Sequence, residues 1–314
     1  MRLIDVIRGP SRPTEVQLRH RRRRAAALAV AAALALLVGL VVGAGGGEDT
    51  RGGAPGEATR IGWYGHLRAL AGAGSASLDV EQRAQESAAI DRALELTPFV
   101  RMAGRQHPLV ALTFDDGPGP DTDRLLDELQ RLRVPGTFFV VGYQLPAFAP
   151  QLQREVDLGE TVGDHTADHR DLELLPARGQ RAQVVRNARE LRSYGAPWPR
   201  LFRPPYGAYD RTTHAVLGHA RMLSVLWSVD SEDYTRPGVN AIVRNVVGHV
   251  QPGSIVLMHD GGGNRTQTVA AVPRIVRALR DDGYRFVSVP RLLLENPPPQ
   301  DQQLPPGFNS AGAG

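Results

Sequence analysis

The chain contains no cysteine and no lysine. Without cysteine there are no disulfides and no thiolate-bound metal, so any metal must be held by histidine and carboxylate. The redox compartment stays open, because an oxidising compartment permits disulfides without requiring them. Without lysine, all 37 basic residues are arginine. Alongside abundant Ala and Gly, that bias fits a GC-rich bacterial genome better than a nucleic-acid partner, whose binding face would interleave basic residues with aromatics. The net charge of +4 is local as well: Arg19 and Arg21–Arg24 carry it, and the remainder is close to neutral. At 314 residues and 42% hydrophobic content the chain is long enough for one large domain or two small ones.

A long uncharged and almost wholly apolar run occupies residues 25–44, twenty residues that follow the Arg21–Arg24 run. At ~1.5 Å per residue they suffice for a ~30 Å hydrocarbon core. Arginines before the run predict a cytoplasmic N-terminus (1–24) and an extracytoplasmic remainder. The alternative is a cleaved signal segment ending near Val42-Gly43-Ala44, with the protein then secreted. Residues 45–58 are a Gly-rich tether, and residues 61–104 carry helical patterning without chemical signature. We assign 45–105 to linker and short helical stalk, with 61–104 read as a stalk or as an N-terminal elaboration packing on the main domain. The Pro-rich stretch 296–314 is expected to be a disordered tail.

Between these flanks, residues 106–295 are regular. Short apolar runs suited to buried strands occur at 109–114, 136–141, 161–165, 201–205, 222–230, 254–260 and 284–289. Amphipathic stretches separate most of them, one with Leu125, Leu126, Leu129 and Leu132 on one face, another with Val272, Ile275, Val276 and Leu279. Seven strands alternating with helices predict a parallel α/β barrel or a doubly wound sheet. Polar clusters decide between them. Asp115-Asp116, His165, Arg203, Asp230 and His259 each fall at the end of a predicted strand. In a barrel such ends converge on one mouth, whereas an open sheet would spread them along an edge.

Each cluster has a plain structural use as well as a chemical one. Asp115-Asp116-Gly117-Pro118 could be only a turn. If its carboxylates are presented from an extended strand they point opposite ways, so that one binds metal while the other does separate work. His165 and His169 lie on one face if the segment is a helical turn, a spacing used for zinc but also met by chance. With a carboxylate they would make a facial His/His/Asp site with open positions. Such a site lowers the pKa of bound water to about 7. Phe202-Arg203-Pro204-Pro205 ends a strand, yet a strand-end arginine is also charge-matched to Asp115 or Asp116. His259 could be a satisfied buried histidine. Paired with Asp230 it would be a tuned acid or base.

The ordered set Thr113–Pro118 (TFDDGP), His165–His169 (HTADH), Arg203–Gly207 (RPPYG), Val229–Tyr234 (VDSEDY) and Leu257–Asp260 (LMHD) resembles the polysaccharide deacetylase family, the NodB homology domain of carbohydrate esterase family 4. The resemblance covers roughly three fifths of the chain. It implies a distorted (β/α)7 barrel, here preceded by a single transmembrane helix and the short helical stalk. It implies Asp116, His165 and His169 as ligands of a divalent metal, zinc or cobalt or similar, and Asp115 as the base that deprotonates water. Arg203 would orient Asp115, the Tyr206 backbone N–H would hold the oxyanion, and Leu257 would line the pocket for the acetyl methyl. His259 would be the general acid, tuned by Asp230. The family's fourth motif usually ends Asp-Trp where this chain has Asp233-Tyr234, which alters the pocket wall more than the chemistry.

The expectation is a metal-dependent hydrolase that removes N-acetyl groups from an extracytoplasmic glycan, with peptidoglycan or another N-acetylglucosamine polymer foremost. Its partners would be that glycan and, through residues 25–44, the membrane, with no nucleic acid; the sequence says nothing of oligomeric state. Alternatives are an O-acetyl esterase acting on xylan-like polysaccharide and a catalytically silent cell-envelope binding protein of the same fold.

Overall fold

The computed structural model describes residues 80–302. The expected membrane segment at 25–44, the cytoplasmic stretch before it and the tether at 45–58 lie outside the described residues. Among those described, no helix is long and apolar enough to cross a membrane.

Nine strands form one sheet: β1 (Phe99–Val100), β2 (Leu109–Asp115), β3 (Gly136–Val140), β4 (Thr161–Asp164), β5 (Leu201–Phe202), β6 (Leu223–Val225), β7 (Val229–Asp230), β8 (Ser254–His259) and β9 (Arg285–Phe286). Their order is β1-β6-β5-β4-β3-β2-β8-β7, with β9 on β2, and every strand pairing is parallel. The predicted strand at 222–230 is divided. Its first half, β6, pairs with β5, and its second half, β7, pairs with β8 at the opposite end of the order. A single run of chain therefore passes from β6, next to β1 at one end of the order, to β7 at the other end. The last predicted strand is shorter than 284–289, because Ser288 caps a helix and Val289 begins it.

Helices cover the outside: α1 (80–96), α2 (Thr122–Leu132), α3 (Leu145–Asp157), α4 (Ala177–Ser193), α5 (Arg211–Ala220), α6 (Val239–Val247), α7 (Thr266–Asp281) and α8 (Val289–Glu295). Period-2 alternation on β2 divides its side chains between two faces. Val110, Leu112 and Phe114 join Leu125, Leu126 and Leu129 of α2 and Val272, Ile275 and Val276 of α7 in the outer core. Leu109 and Ala111 face the other way, among Phe139, Leu223, Val225 and Ile255. Thr113 and Asp115 follow on this inner face. The same alternation on β8 places Val256 and Met258 in the outer core and Ile255, Leu257 and His259 on the inner side.

At both flanks the folded unit reaches beyond the expected bounds 106–295. Of the two readings of the helical patterning at 61–104, its described part follows the second, packing on the main domain. Ala89, Ile90 and Ala93 of α1 are buried against the inner core, and Asp91 pairs with Arg200 at 2.6 Å. Beyond α1, β1 adds to β6, so the folded unit starts well before residue 106. Nor is the expected tail at 296–314 structureless from its first residue. Asn296 is fully buried and exchanges two hydrogen bonds with the His107 backbone, and the Gln302 side chain bonds Arg101 and Met102. An amide side chain that pairs with both backbone groups of one residue holds chain ends as a strand would.

Candidate active site

The centre of the mouth is set by register. Asp115 on β2 lies opposite His259 on β8, and neighbouring strands are about 4.8 Å apart. Asp115 is buried, and Oδ1 accepts a 2.7 Å hydrogen bond from Arg203 Nη1. Arg203 is fully buried, and its guanidinium sits 4.2 Å from the Phe139 ring centre. It also donates to Thr113 Oγ1 and to the Val225 and Leu226 carbonyls. Burial presses down on the pKa of Arg203, and Asp115 opposes this. A buried guanidinium bonded on several sides is a rigid mount for the carboxylate it pairs with.

Asp116 does not point away from Asp115, as an extended strand would require. The strand stops at Asp115, and Asp116 takes a left-handed backbone conformation (φ 67°) that turns its carboxylate back to the mouth. Neighbouring glycines permit the turn. A Cβ on Gly261 would lie 1.9 Å from the Asp116 carbonyl, and one on Gly117 would lie 2.2 Å from the Asp260 carboxylate. Asp116 Oδ1 is 3.0 Å from His169 Nε2 and 3.5 Å from His165 Nε2. Burial works to raise the pKa of Asp116, yet the two histidines outweigh it and hold the carboxyl far below its usual range.

His165 and His169 come together without a helix. The segment is a bend in which Thr166 and His169 have positive φ, 71° and 53°. Asp164, fully buried, shapes it: Oδ1 accepts from the Thr166 N–H at 2.8 Å and from Asn187 Nδ2 at 2.9 Å. Asn187, on α4, also donates to the Val140 carbonyl at the end of β3. Burial pushes the Asp164 carboxyl up to about 7 against these bonds. His165 Nδ1 lies 2.6 Å from the Arg203 carbonyl, which can only accept. The proton therefore sits on Nδ1, and the Nε2 lone pair faces Asp116.

Ligand atoms of Asp116, His165 and His169 all lie within 4.8 Å of one another, and Asp116 Oδ1 is buried without a hydrogen-bond partner. Two imidazole nitrogens and a carboxylate oxygen converging on one point are ligand types that a divalent metal takes, so the donor set fits one.

One assignment is corrected. The carboxylate on His259 belongs to Asp233, not Asp230. His259 Nδ1 is 2.7 Å from Asp233 Oδ1, the His259 N–H donates to Oδ2 at 2.9 Å, and Thr268 Oγ1 donates to Oδ2 at 2.7 Å. Asp230 is occupied by a turn, accepting from the Glu232 N–H at 2.8 Å and weakly from the Tyr234 hydroxyl at 3.4 Å. Burial depresses His259 but Asp233, then Asp115 and Asp116, more than restore it, so its pKa is raised. An Asp at a strand end commonly bonds the backbone two positions on, as Asp230 does with the Glu232 N–H, and Asp233 is left for the histidine.

Leu257 is buried two residues before His259 on the inner side of β8, in register with Asp230. Tyr206 lies in the turn Pro205–Gly207 with φ 60°, its ring edge-on to His169 at 4.8 Å. Tyr234, in place of the tryptophan of the resembled family, stands edge-on to His259 at 5.4 Å. Sequence reasoning missed Asp233, Asn187 and Asp164, whose roles arise from folding and not from the strand-end pattern.

A barrel of parallel strands with this set of side chains at one mouth defines a hydrolase of the α/β class. The polysaccharide deacetylase family profile matches residues 103–224. A chitooligosaccharide deacetylase from Sinorhizobium fredii is 38% identical over 210 residues, spanning 63% of this chain and 98% of that protein. The crystal structure of a peptidoglycan N-acetylglucosamine deacetylase superposes with a TM-score of 0.61 at 31% identity, covering 63% of this chain and 94% of its own. A carbohydrate esterase family 4 pseudoenzyme from Bacillus anthracis also superposes, with TM-score 0.59 and 25% identity over 62% of this chain and 68% of that one. The chain belongs to the polysaccharide deacetylase family, and its enzymatic class is that of carbohydrate esterase family 4.

Proposed function

We propose that this chain is a metal-dependent hydrolase that removes N-acetyl groups from an N-acetylglucosamine polymer, peptidoglycan first among them, outside the cytoplasm. The observation that carries the reading is the pairing of two poised groups on adjacent strands: Asp115 mounted on Arg203, and His259 mounted on Asp233, both beside the Asp116–His165–His169 set. A divalent cation held by those three residues would supply the charge that polarises the amide carbonyl and eases deprotonation of water. Asp115 keeps Oδ2 clear of Arg203 and takes the proton from water as its oxygen adds to the acetamide carbon. The Tyr206 backbone N–H donates to the carbonyl oxygen as negative charge builds there. Protonated His259 gives its Nε2 proton to the sugar nitrogen as the C–N bond breaks, releasing acetate and a free amine. Leu257 accepts the acetyl methyl. Support for the substrate comes from the two deacetylases above, which act on chitooligosaccharide and on peptidoglycan N-acetylglucosamine. Support for outward placement comes from Arg21–Arg24 ahead of the uncharged run at 25–44.

The silent-fold alternative loses ground because the base, the acid and all three ligands are present and oriented. The deciding experiment strips the full chain with chelator, restores zinc, and follows acetate release from N-acetylglucosamine oligomers, peptidoglycan and acetylated xylan. Zinc-dependent release from the first two is expected. Release from xylan alone would make the protein an esterase, and no release from any by folded, zinc-loaded protein would sink the reading.

A further inference from the structure

Among the described residues only three aromatic side chains are exposed, Tyr143, Tyr206 and Tyr234. Two of them flank the site's histidines, Tyr206 at His169 and Tyr234 at His259. Tyr143 belongs to none of the five motifs and has no part in the reaction as derived. It lies in the turn Gly142–Gln144 that follows β3. Its N–H donates to the Ala167 carbonyl at 2.8 Å, and the Gly142 N–H donates to the Thr166 carbonyl at 3.0 Å. Both acceptors are in the bend that carries His165 and His169, so the turn is tied to the metal-ligand segment. A Cβ on Gly142 would lie 2.7 Å from Asn187 Oδ1, so the turn is also packed tightly from behind. The ring nevertheless stays 51% exposed. The two backbone bonds to Thr166 and Ala167 set the turn beside the His165–His169 bend, at that side of the mouth.

A flat ring fixed on a rigid backbone and left in water is poor packing but a good binding surface. Tyrosine offers an apolar face and a polar tip, and aromatic side chains of this kind are enriched at recognition surfaces. A pyranose presents a face of C–H groups rimmed by hydroxyls, which complements both parts. We propose that Tyr143 stacks on the sugar unit next to the one being deacetylated, on the His169 side of the mouth, so that the enzyme selects chains over single sugars. The proposal rests on the glycan reading above.

The test is calorimetric binding of N-acetylglucosamine dimer and pentamer to the full, zinc-loaded chain in an Asp115→Asn background, which holds the oligomer without turning it over. Adding Tyr143→Ala should weaken the pentamer about tenfold, or about 1.4 kcal/mol, and the dimer less than about threefold. Tyr143→Phe, which keeps the ring, should bind the pentamer within about twofold of the parent. Unchanged pentamer affinity in Tyr143→Ala, equal losses for dimer and pentamer, or no pentamer binding by the parent would each overturn the proposal. Acetate release by the wild-type chain is scored separately. Pentamer binding with the expected Tyr143 effect but no acetate release would remove the deacetylase reading and leave the stacking role standing.

Discussion

At the scale of single residues, the site divides its labour through second partners. Asp115 and Asp116 are chemically identical neighbours, and Arg203 and the histidines make them different. Asp115→Asn should therefore keep zinc, measured by calorimetry on the stripped chain, while acetate release falls by about 10²–10⁴-fold. His165→Ala should lose both. Near-full activity in Asp115→Asn would mean that the base has been wrongly assigned. Asp233 gives a sharper test, because its carboxylate holds the His259 pKa up against burial. The acid is competent while protonated, so activity is present below its pKa and lost as pH rises through it. Asp233→Asn should move that alkaline limb of kcat to lower pH, whereas Asp230→Asn should move it much less. The opposite order would restore Asp230 as the partner. All five motifs could be read directly from the chain, since each is a local string. The Asp233–His259 pair could not, because it depends on how a turn redirects a carboxylate across 26 residues of sequence.

At the scale of elements, the bend after β4 is the delicate part. Two of its residues have positive φ without being glycine, a conformation that persists only when its surroundings enforce it. Asn187 and Asp164 do so, joining α4 to the ends of β3 and β4. Asn187→Leu should weaken zinc binding by about 10–100-fold, the usual cost of removing an outer-shell partner, with the far-ultraviolet circular dichroism unchanged. Zinc affinity equal to wild type would show that the bend holds itself. The strands themselves were legible because buried runs and amphipathic spacers alternate so regularly. The 222–230 run was not legible as two strands, since both halves are equally apolar and only their partners differ.

For the whole molecule, the folded unit reaches beyond the stretch that bears the motifs. Ile90 is buried in the inner core, and β1 and Gln302 meet at the segment 99–102. Ile90→Ala should cost about 2–5 kcal/mol in urea unfolding, the range for a buried isoleucine. A loss under about 0.5 kcal/mol would return α1 to the status of a loose appendage. The sequence was silent on this because three small or branched residues on one helical face state that a helix packs, but not against what.

The sequence by itself determined the class of chemistry. Candidate metal ligands, a candidate base and a candidate acid stand at strand ends. It also excluded thiolate ligands outright. Only the tertiary structure decided which carboxylate tunes His259, how Asp116 turns to join two histidines, and that α1 and residues 296–302 belong to the barrel. The reason is physical: alternation and motif spacing are short-range properties of a chain, whereas hydrogen-bond partners and packing surfaces are chosen by whatever the folded sheet and its helices bring within about 3–4 Å.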